Sequence, residues 1–381
     1  MDRLSLQTMI FVSLFHNGHH AVNNLVMTSM NRFTVSAPLV SLLSNQIFLL
    51  YTREGESFPM GDFDTSKDYR IAGAILFPMA LVGLTCNLGV VSFLRAMPSL
   101  RNSFGSLTLS QAIVDSIHQM LFAFYFAPTI YFRNKFMYSI SDHLGFATLT
   151  AYQICCYSHV CISFNRFVAV CAPMSYARLF RKSVTLKIIA LYWILGICHM
   201  TFMLRYVDCA LYLPEGTWIF IFKDTPSCKI VMWYGDFLLN SISVIVVAIM
   251  DISSIARLHC YSVHLTDEVS VQRRKTKMNL TYQAALQGIC FISELLTYFL
   301  LSGYSRNKWE AFALTSMSWC LVNGMDGLIV LVCNRDFRRQ IKKMVKYRRH
   351  NHQVGTLSMA TTTHPASCMA TSSMHHHHNR N

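Results

Sequence analysis

The 381-residue sequence predicts an all-α membrane protein, a seven-transmembrane helix bundle with a short amphipathic eighth helix. Three observations carry this. Hydrophobic residues make up 53% of the chain and charged residues 14%, with a mean hydropathy of +0.34, which is not the composition of a soluble globule. The apolar residues gather into seven blocks, long enough to cross the roughly 30 Å hydrocarbon layer as helices. Lysine and arginine concentrate in alternate connections, the asymmetry that orients a multi-pass protein.

Residues 1–70 read as an extracellular lead-in with little structure. Leu4 to Phe15 has only the length of a signal-peptide core, and Leu39 to Tyr51 is too short, and too polar at Ser44, Asn45 and Gln46, to span. His16, His19 and His20 have no cysteine or acid at ligand spacing and read as solvated.

The bundle occupies residues 71–333. Its expected spans are Ile71 to Leu94, Phe104 to Tyr131, His143 to Phe164, Ile188 to Leu204, Ile230 to Ile252, Leu280 to Tyr304 and Ala311 to Cys333. Several carry a polar or ionised residue, which a bundle interior accommodates and a lipid-facing helix does not. Buried helices of a large soluble protein would not recur seven times between charged loops. With the N-terminus outside, the inner segments as far as Arg349 hold 19 basic residues besides Arg166 and the outer ones seven, so the C-terminus lies inside. The net charge of +14 then reads as topology and as attraction to an anionic inner leaflet. It is dispersed among the spans, unlike a nucleic-acid-binding face.

Of thirteen cysteines, only Cys209 and Cys228 fall in an outer loop. That side is oxidising, so a disulfide between them is expected. After the last span, residues 334–349 form an amphipathic pattern: Phe337, Ile341, Met344 and Val345 recur at spacings of four, three and one, with Arg338, Arg339, Lys342, Lys343 and Lys346 among them. This is the pattern of a helix lying in a membrane surface. Residues 350–381, rich in Ser, Thr, Met and His, read as a disordered cytosolic tail. Its run His375 to His378 resembles an affinity tag. No phosphate-binding loop, no G-x-S-x-G elbow and no metal-ligand pair on a helix stands out, so neither an enzyme nor a cofactor or metal is expected.

The stretch Asn165-Arg166-Phe167, with Ala169, Val170, Pro173 and Tyr176 behind it, lies at the inner end of the third block. It resembles the D-R-Y-x-A-V-x-x-P-x-x-Y signature of the rhodopsin-like G-protein-coupled receptors, meeting five of the seven specified positions. Gly83 and Asn87 resemble the family's small residue and asparagine in span one, Asp115 its acid in span two and Trp193 its span-four tryptophan. Asp326-Gly327-Leu328-Ile329-Val330 stands where N-P-x-x-Y is usual. A finer resemblance, to the nematode serpentine chemoreceptors of class x, rests on Asn102-Ser103-Phe104-Gly105 with Ser110-Gln111-Ala112, the NRF form of the motif, the paired cysteines within one outer loop, and Asp326-Gly327 followed by Asn334-Arg335-Asp336-Phe337-Arg338. It covers about residues 70 to 349. The sequence departs from the wider family in three places: Ser141 is nearest the usual span-three cysteine, span six lacks C-W-x-P, and span seven lacks the proline and tyrosine.

The resemblance implies a plasma-membrane chemosensory receptor, in a sensory-neuron cilium, that binds a small molecule and activates a heterotrimeric G protein. Asn165, Arg166, Phe167, Pro173 and Tyr176 would form the coupling surface, and Asn87, Asp115 and Asp326 an intramembrane polar network. Asn165 replaces the usual acid, which leaves Arg166 without an adjacent charged partner. A plain alternative for Arg166 is an anchor snorkelling to water. Thr148, Tyr152, Asp236, Glu294 and Trp319 are expected to line an outer ligand pocket, since acids at membrane depth are functional hypotheses by default. A seven-span transporter or ligand-gated channel is the competing class, but neither repeated halves with broken helices nor a selectivity segment is visible. Glycosylation tests the topology. An acceptor site introduced near Glu310 should be modified and the native Asn279-Leu280-Thr281 should not; modification at Asn279 would break the span assignment.

Overall fold

The computed structural model describes residues 66–97, 102–260, 268–333 and 337–339. Seven long helices cross it. Span one is Ser66–Ala96. Span two runs from Ser103–Leu121 through a π turn, Phe122–Phe126, into Ala127–Phe132. Span three is Ser141–Cys171, and span four is Lys182–Thr201 followed by Phe202–Tyr206. Span five joins Pro226–Val231, Met232–Leu238 and Leu239–Cys260. Span six joins Glu268–Leu296 and Thr297–Leu301, and span seven joins Lys308–Phe312, Ala313–Met317 and Ser318–Cys333. Of the segment expected to form an eighth helix, only residues 337–339 are described; they are helical, with Phe337 buried edge-on against Phe93 at 5.6 Å. The rest of that segment, nearly all of the lead-in and the tail lie outside the described residues.

Six spans are long and apolar enough to cross a membrane by composition. Span two is the exception, and its burial explains why. Thr108, Gln111, Asp115, Ser116, His118 and Gln119 all face the interior, so this helix carries polar groups that its neighbours can hydrogen-bond.

Helix ends depart from the apolar blocks for local reasons. Span three continues past Phe164 to Cys171, so Asn165 to Phe167 lie within the helix. It stops at Ala172, which leaves the helical region at φ −135° and ψ 59°, as the residue before a proline tends to. Pro173 then opens a short helix, Pro173–Leu179, because its missing N–H is unneeded at a first position. Span seven starts early because Asn307 Oδ1 accepts from the Trp309 and Glu310 N–H groups at 3.0 and 2.9 Å. Span six begins at Glu268 and passes through a basic stretch before its apolar part, so Asn279 is helical.

The loop between spans four and five folds inward as a lid. Leu211–Tyr212 pairs antiparallel with Ile221–Phe222, and the Cys209–Cys228 disulfide, with Cα atoms 4.7 Å apart, ties the base of the loop to the start of span five. Trp218, Ile219 and Phe220 are buried at its tip, where Trp218 packs against Tyr69 and Trp309, each at 5.1 Å. The lid lies directly on span three. A Cβ on Gly145 would sit 2.0 Å from the Leu211 carbonyl oxygen, and the Leu213 N–H donates to Ser141 Oγ at 3.3 Å. Hence Ser141, nearest the expected cysteine position, holds the lid by a hydrogen bond.

Spans one and seven also approach at backbone distance. A Cβ on Gly327 would meet Asn87 Oδ1 at 2.5 Å and its backbone nitrogen at 2.8 Å, and Gly83 faces the Gly324 Cα in the same way. Small residues at such crossings let helices pack without a hydrophobic drive between them. Gly327→Leu should therefore lower the unfolding temperature of the detergent-purified protein by the equivalent of about 1–3 kcal/mol. Gly89→Ala, which meets only a Leu331 methyl at 3.7 Å, should leave it unchanged. Equal effects would disprove the close crossing.

Candidate functional site

Under the lid, spans three, five, six and seven line a small cavity of about 20 Å³. Tyr152, Asp236, Glu294 and Trp319 line it, and Leu211 and Phe222 of the hairpin close it. Four of the five expected pocket residues thus come together. Thr148 does not join the lining: it is buried, and its hydroxyl donates back to the Leu144 carbonyl at 2.7 Å. Two buried carboxylates dominate the polar chemistry. Tyr152 donates to Glu294 Oε2 at 2.7 Å, joining spans three and six. Asn240 donates to Asp236 Oδ1 at 2.7 Å and accepts from Gln153 at 3.3 Å, joining spans five and three. Asp236 lies on the π turn Met232–Leu238, a local widening that recurs at functional sites. Five of the spans carry such a turn, each in the half that holds the cavity.

Deeper in the bundle, Asn87, Asp115 and Asp326 border one narrow cleft with Gln111 and Gln287. Asn87 donates to the Asn323 carbonyl at 3.0 Å, pinning span one to span seven. Asp326 is the hub. Gln111 and Gln287 donate to its two oxygens, each at 3.1 Å, and His159 Nε2 lies 3.0 Å from Oδ2. Asp115 is equally buried, yet neither of its oxygens has a hydrogen-bond partner. Trp193 donates to Ser110 at 2.8 Å and fastens span four to span two.

Phe291 lies between the two centres, stacked on Tyr152 with centroids 5.3 Å apart and tilted against His159 at the same distance. One ring therefore touches a cavity residue on one side and a hub residue on the other.

Arg166 is buried at 5% exposure, so it does not reach water as a snorkelling anchor would. Its guanidinium sits 4.4 Å over the Phe104 ring, a contact worth about 2 kcal/mol when desolvated. Its counter-charge is Asp251 of span five. The guanidinium nitrogens and the Asp251 oxygens are all buried without hydrogen bonds, so the pair interacts through space. Asn165 and Phe167 are buried beside Arg166, while Pro173 is exposed and Tyr176, half-buried, stacks on Phe180 at 5.5 Å. The proline and tyrosine therefore occupy the following short helix rather than the arginine's immediate surroundings.

Gln111, His159, Gln287, Gln153, Asn240 and Asp251 were not foreseen as site residues. Asp251 had a signal: it follows Asp236 by fifteen residues, about four helical turns, which places both acids on one face. The amides had none, since a glutamine in a span is equally consistent with helix-to-helix glue.

Comparison with known proteins agrees with the seven-span fold. A family model described as serpentine type seven-transmembrane GPCR chemoreceptor Srx matches residues 77–334. Serpentine receptor class X 45 of Caenorhabditis elegans is 30% identical over 293 residues, covering 72% of this chain and 81% of that protein. Serpentine receptor class X-43 of the same organism is 22% identical, covering 73% and 88%. Squid rhodopsin shares the fold with a TM-score of 0.62 at 13% identity, over 75% of this chain and 84% of its own.

The hydrogen bonds around the cavity predict unequal costs. Tyr152→Phe removes an interhelical bond to a buried carboxylate and should destabilise the purified protein by about 0.6–1.7 kcal/mol. Thr148→Val removes only a bond within its own helix and should fall within about 0.5 kcal/mol of wild type. Thermal unfolding in detergent distinguishes them, and an equal loss would place Thr148 in the polar lining after all.

Proposed function

The chain belongs to the Srx family of serpentine seven-transmembrane chemoreceptors, a receptor family rather than an enzyme family, and from that premise we propose that it binds a small molecule beneath the hairpin lid and activates a heterotrimeric G protein at its inner face. The observation that carries this reading is the lidded cavity with its two carboxylates, joined through Phe291 to the Asp326 hub. A ligand that competes for Glu294 or Asp236 must loosen Tyr152 or Asn240, which bind those acids. Tyr152 and Phe291 are stacked, so repacking of the first moves the second against His159. A ligand shifts the population of the bundle only by such differential contacts.

At the inner end, Arg166 is the switching group. Phe104 and Asp251 hold it inside without hydrogen bonds to its nitrogens, so an incoming G-protein segment offering backbone carbonyls would supply the missing acceptors. The receptor belongs in the plasma membrane with its N-terminus outside, and the family resemblance suggests the cilium of a sensory neuron. Lipid and G protein are its partners. No nucleic acid is needed.

Signalling in cells, measured at matched surface density against an odorant panel, tests the reading. Arg166→Ala should abolish evoked G-protein activation while leaving surface expression near wild type. Asp251→Asn weakens the attraction holding Arg166 inside; a loss of about 1 kcal/mol would shift the resting equilibrium about fivefold and raise basal signal several-fold. Full signalling by Arg166→Ala would overturn the assignment of the switch. Ligand-evoked ion flux without G-protein activation would favour a channel instead.

A further inference from the structure

The chemistry of the cavity under the lid is one-sided. Two acids, five aromatic residues and two leucines line it, with no lysine, arginine or histidine among them. The acids, Asp236 and Glu294, are 7% and 3% exposed. The charged group acting on Glu294 is Asp236, a second acid. Asp251, lower in span five, differs in having Arg166 for a counter-charge. The cavity itself, at about 20 Å³, has room for a group the size of a water molecule.

Hydrogen bonding within the bundle engages half of each carboxylate. Among the described residues, Glu294 accepts from Tyr152 at Oε2 and Asp236 accepts from Asn240 at Oδ1, which leaves Glu294 Oε1 and Asp236 Oδ2 without a donor. A carboxylate offers about four acceptor sites on its two oxygens, and a buried one normally has partners. Unlike the oxygens of Asp115 and Asp251, these two are not enclosed by protein on every side, so they open onto the cavity that their residues line. Helix-to-helix glue accounts for the engaged oxygens and not for the other two.

Three kinds of ligand head can be compared there. An anion meets two acids and no base. A neutral hydroxyl brings a single hydrogen for two oxygens. A primary ammonium brings three donors and a positive charge on a head of about the size of one water. With one acid ionised and the other protonated, it leaves the buried site neutral, as a charge taken out of water requires. The aromatic walls suit it as well, because ring faces attract a cation. We propose that the cavity takes a primary amine, its ammonium held between Glu294 Oε1 and Asp236 Oδ2 and its apolar part seated where Leu211 and Phe222 of the hairpin lie. Those two residues are partners across the strand pair, so the hairpin yields as a unit to admit the ligand.

The inference rests on the receptor reading of this cavity and adds the charge of what it binds. Full-length protein, purified in detergent with its disulfide intact, is unfolded thermally with matched compounds: phenethylamine, phenethyl alcohol and phenylacetate; tryptamine, tryptophol and indoleacetate; hexylamine, hexanol and hexanoate. At least one amine should stabilise the protein at a concentration roughly tenfold or more below that required of its alcohol, the ratio that a hydrogen bond to a charged group supplies. Its carboxylate should not stabilise the protein at all, and trimethylation of its nitrogen should abolish the effect. Replacing both acids, Asp236→Asn with Glu294→Gln, keeps acceptors for Asn240 and Tyr152 and should remove the preference for amine over alcohol. If that double variant does not fold, the wild-type charge series and the trimethylated amine decide alone. Equal stabilisation by amine and alcohol, stabilisation by a carboxylate, a preference that survives in the double variant, or no stabilisation by any amine would each overturn the proposal. G-protein activation in cells separates the two readings. Activation by neutral or anionic odorants with no response to amines would sink the amine and keep the receptor, whereas amine binding without activation would do the reverse.

Discussion

Hydrocarbon offers no hydrogen-bond partner, so each polar group this chain carries into the membrane must be answered inside the bundle. That constraint organises the structure. Span two is too polar to face lipid and has become the most interior helix, with Asp115, Gln111 and Gln119 directed at its neighbours. Gln119 donates to the Cys320 carbonyl at 2.7 Å and Gln111 to Asp326. These bonds set the rotation of span seven against span two, and Asn87 fixes span one against span seven. Each bond is modest by itself, and together they tie span two to span seven.

A second constraint is close approach. Gly83, Gly324 and Gly327 allow spans one and seven to meet almost backbone to backbone, and Gly145 admits the lid strand onto span three. Lid and bundle are therefore one packed body. The disulfide fixes where the lid returns to span five, while Trp218 seals it over Tyr69 and Trp309. The hairpin residues Leu211 and Phe222 line the cavity together with its acids, Trp319 and Tyr152.

The bundle holds two polar centres separated by one aromatic ring. Phe291 contacts Tyr152 of the cavity and His159 of the hub, so one ring is packed against both centres. Further in, Arg166 is a charge kept from water by a phenyl ring and a distant carboxylate. A group with five donors and no acceptor is readily drawn to a better partner. The arrangement is thus close in packing and incomplete in hydrogen bonding.

Seven spans and the disulfide pair were legible in the sequence, because apolar length and cysteine placement are local properties of the chain. So were the Asn87, Asp115 and Asp326 positions and four of the cavity residues, since an acid or tyrosine in a span is conspicuous where lipid would exclude it. Helix ends were less legible: the apolar block of span three stops at Phe164, but backbone hydrogen bonding carries the helix to Cys171, where Pro173 intervenes. Only the tertiary structure decided the partners. That Arg166 faces Asp251 instead of residue 165, that Ser141 holds the lid, and that His159 and Cys155 meet Asp326 all depend on helix rotation and crossing. Those are set jointly by glycine contacts and buried bonds between segments up to 240 residues apart, as Asp68 and Lys308 are, and no local pattern records them.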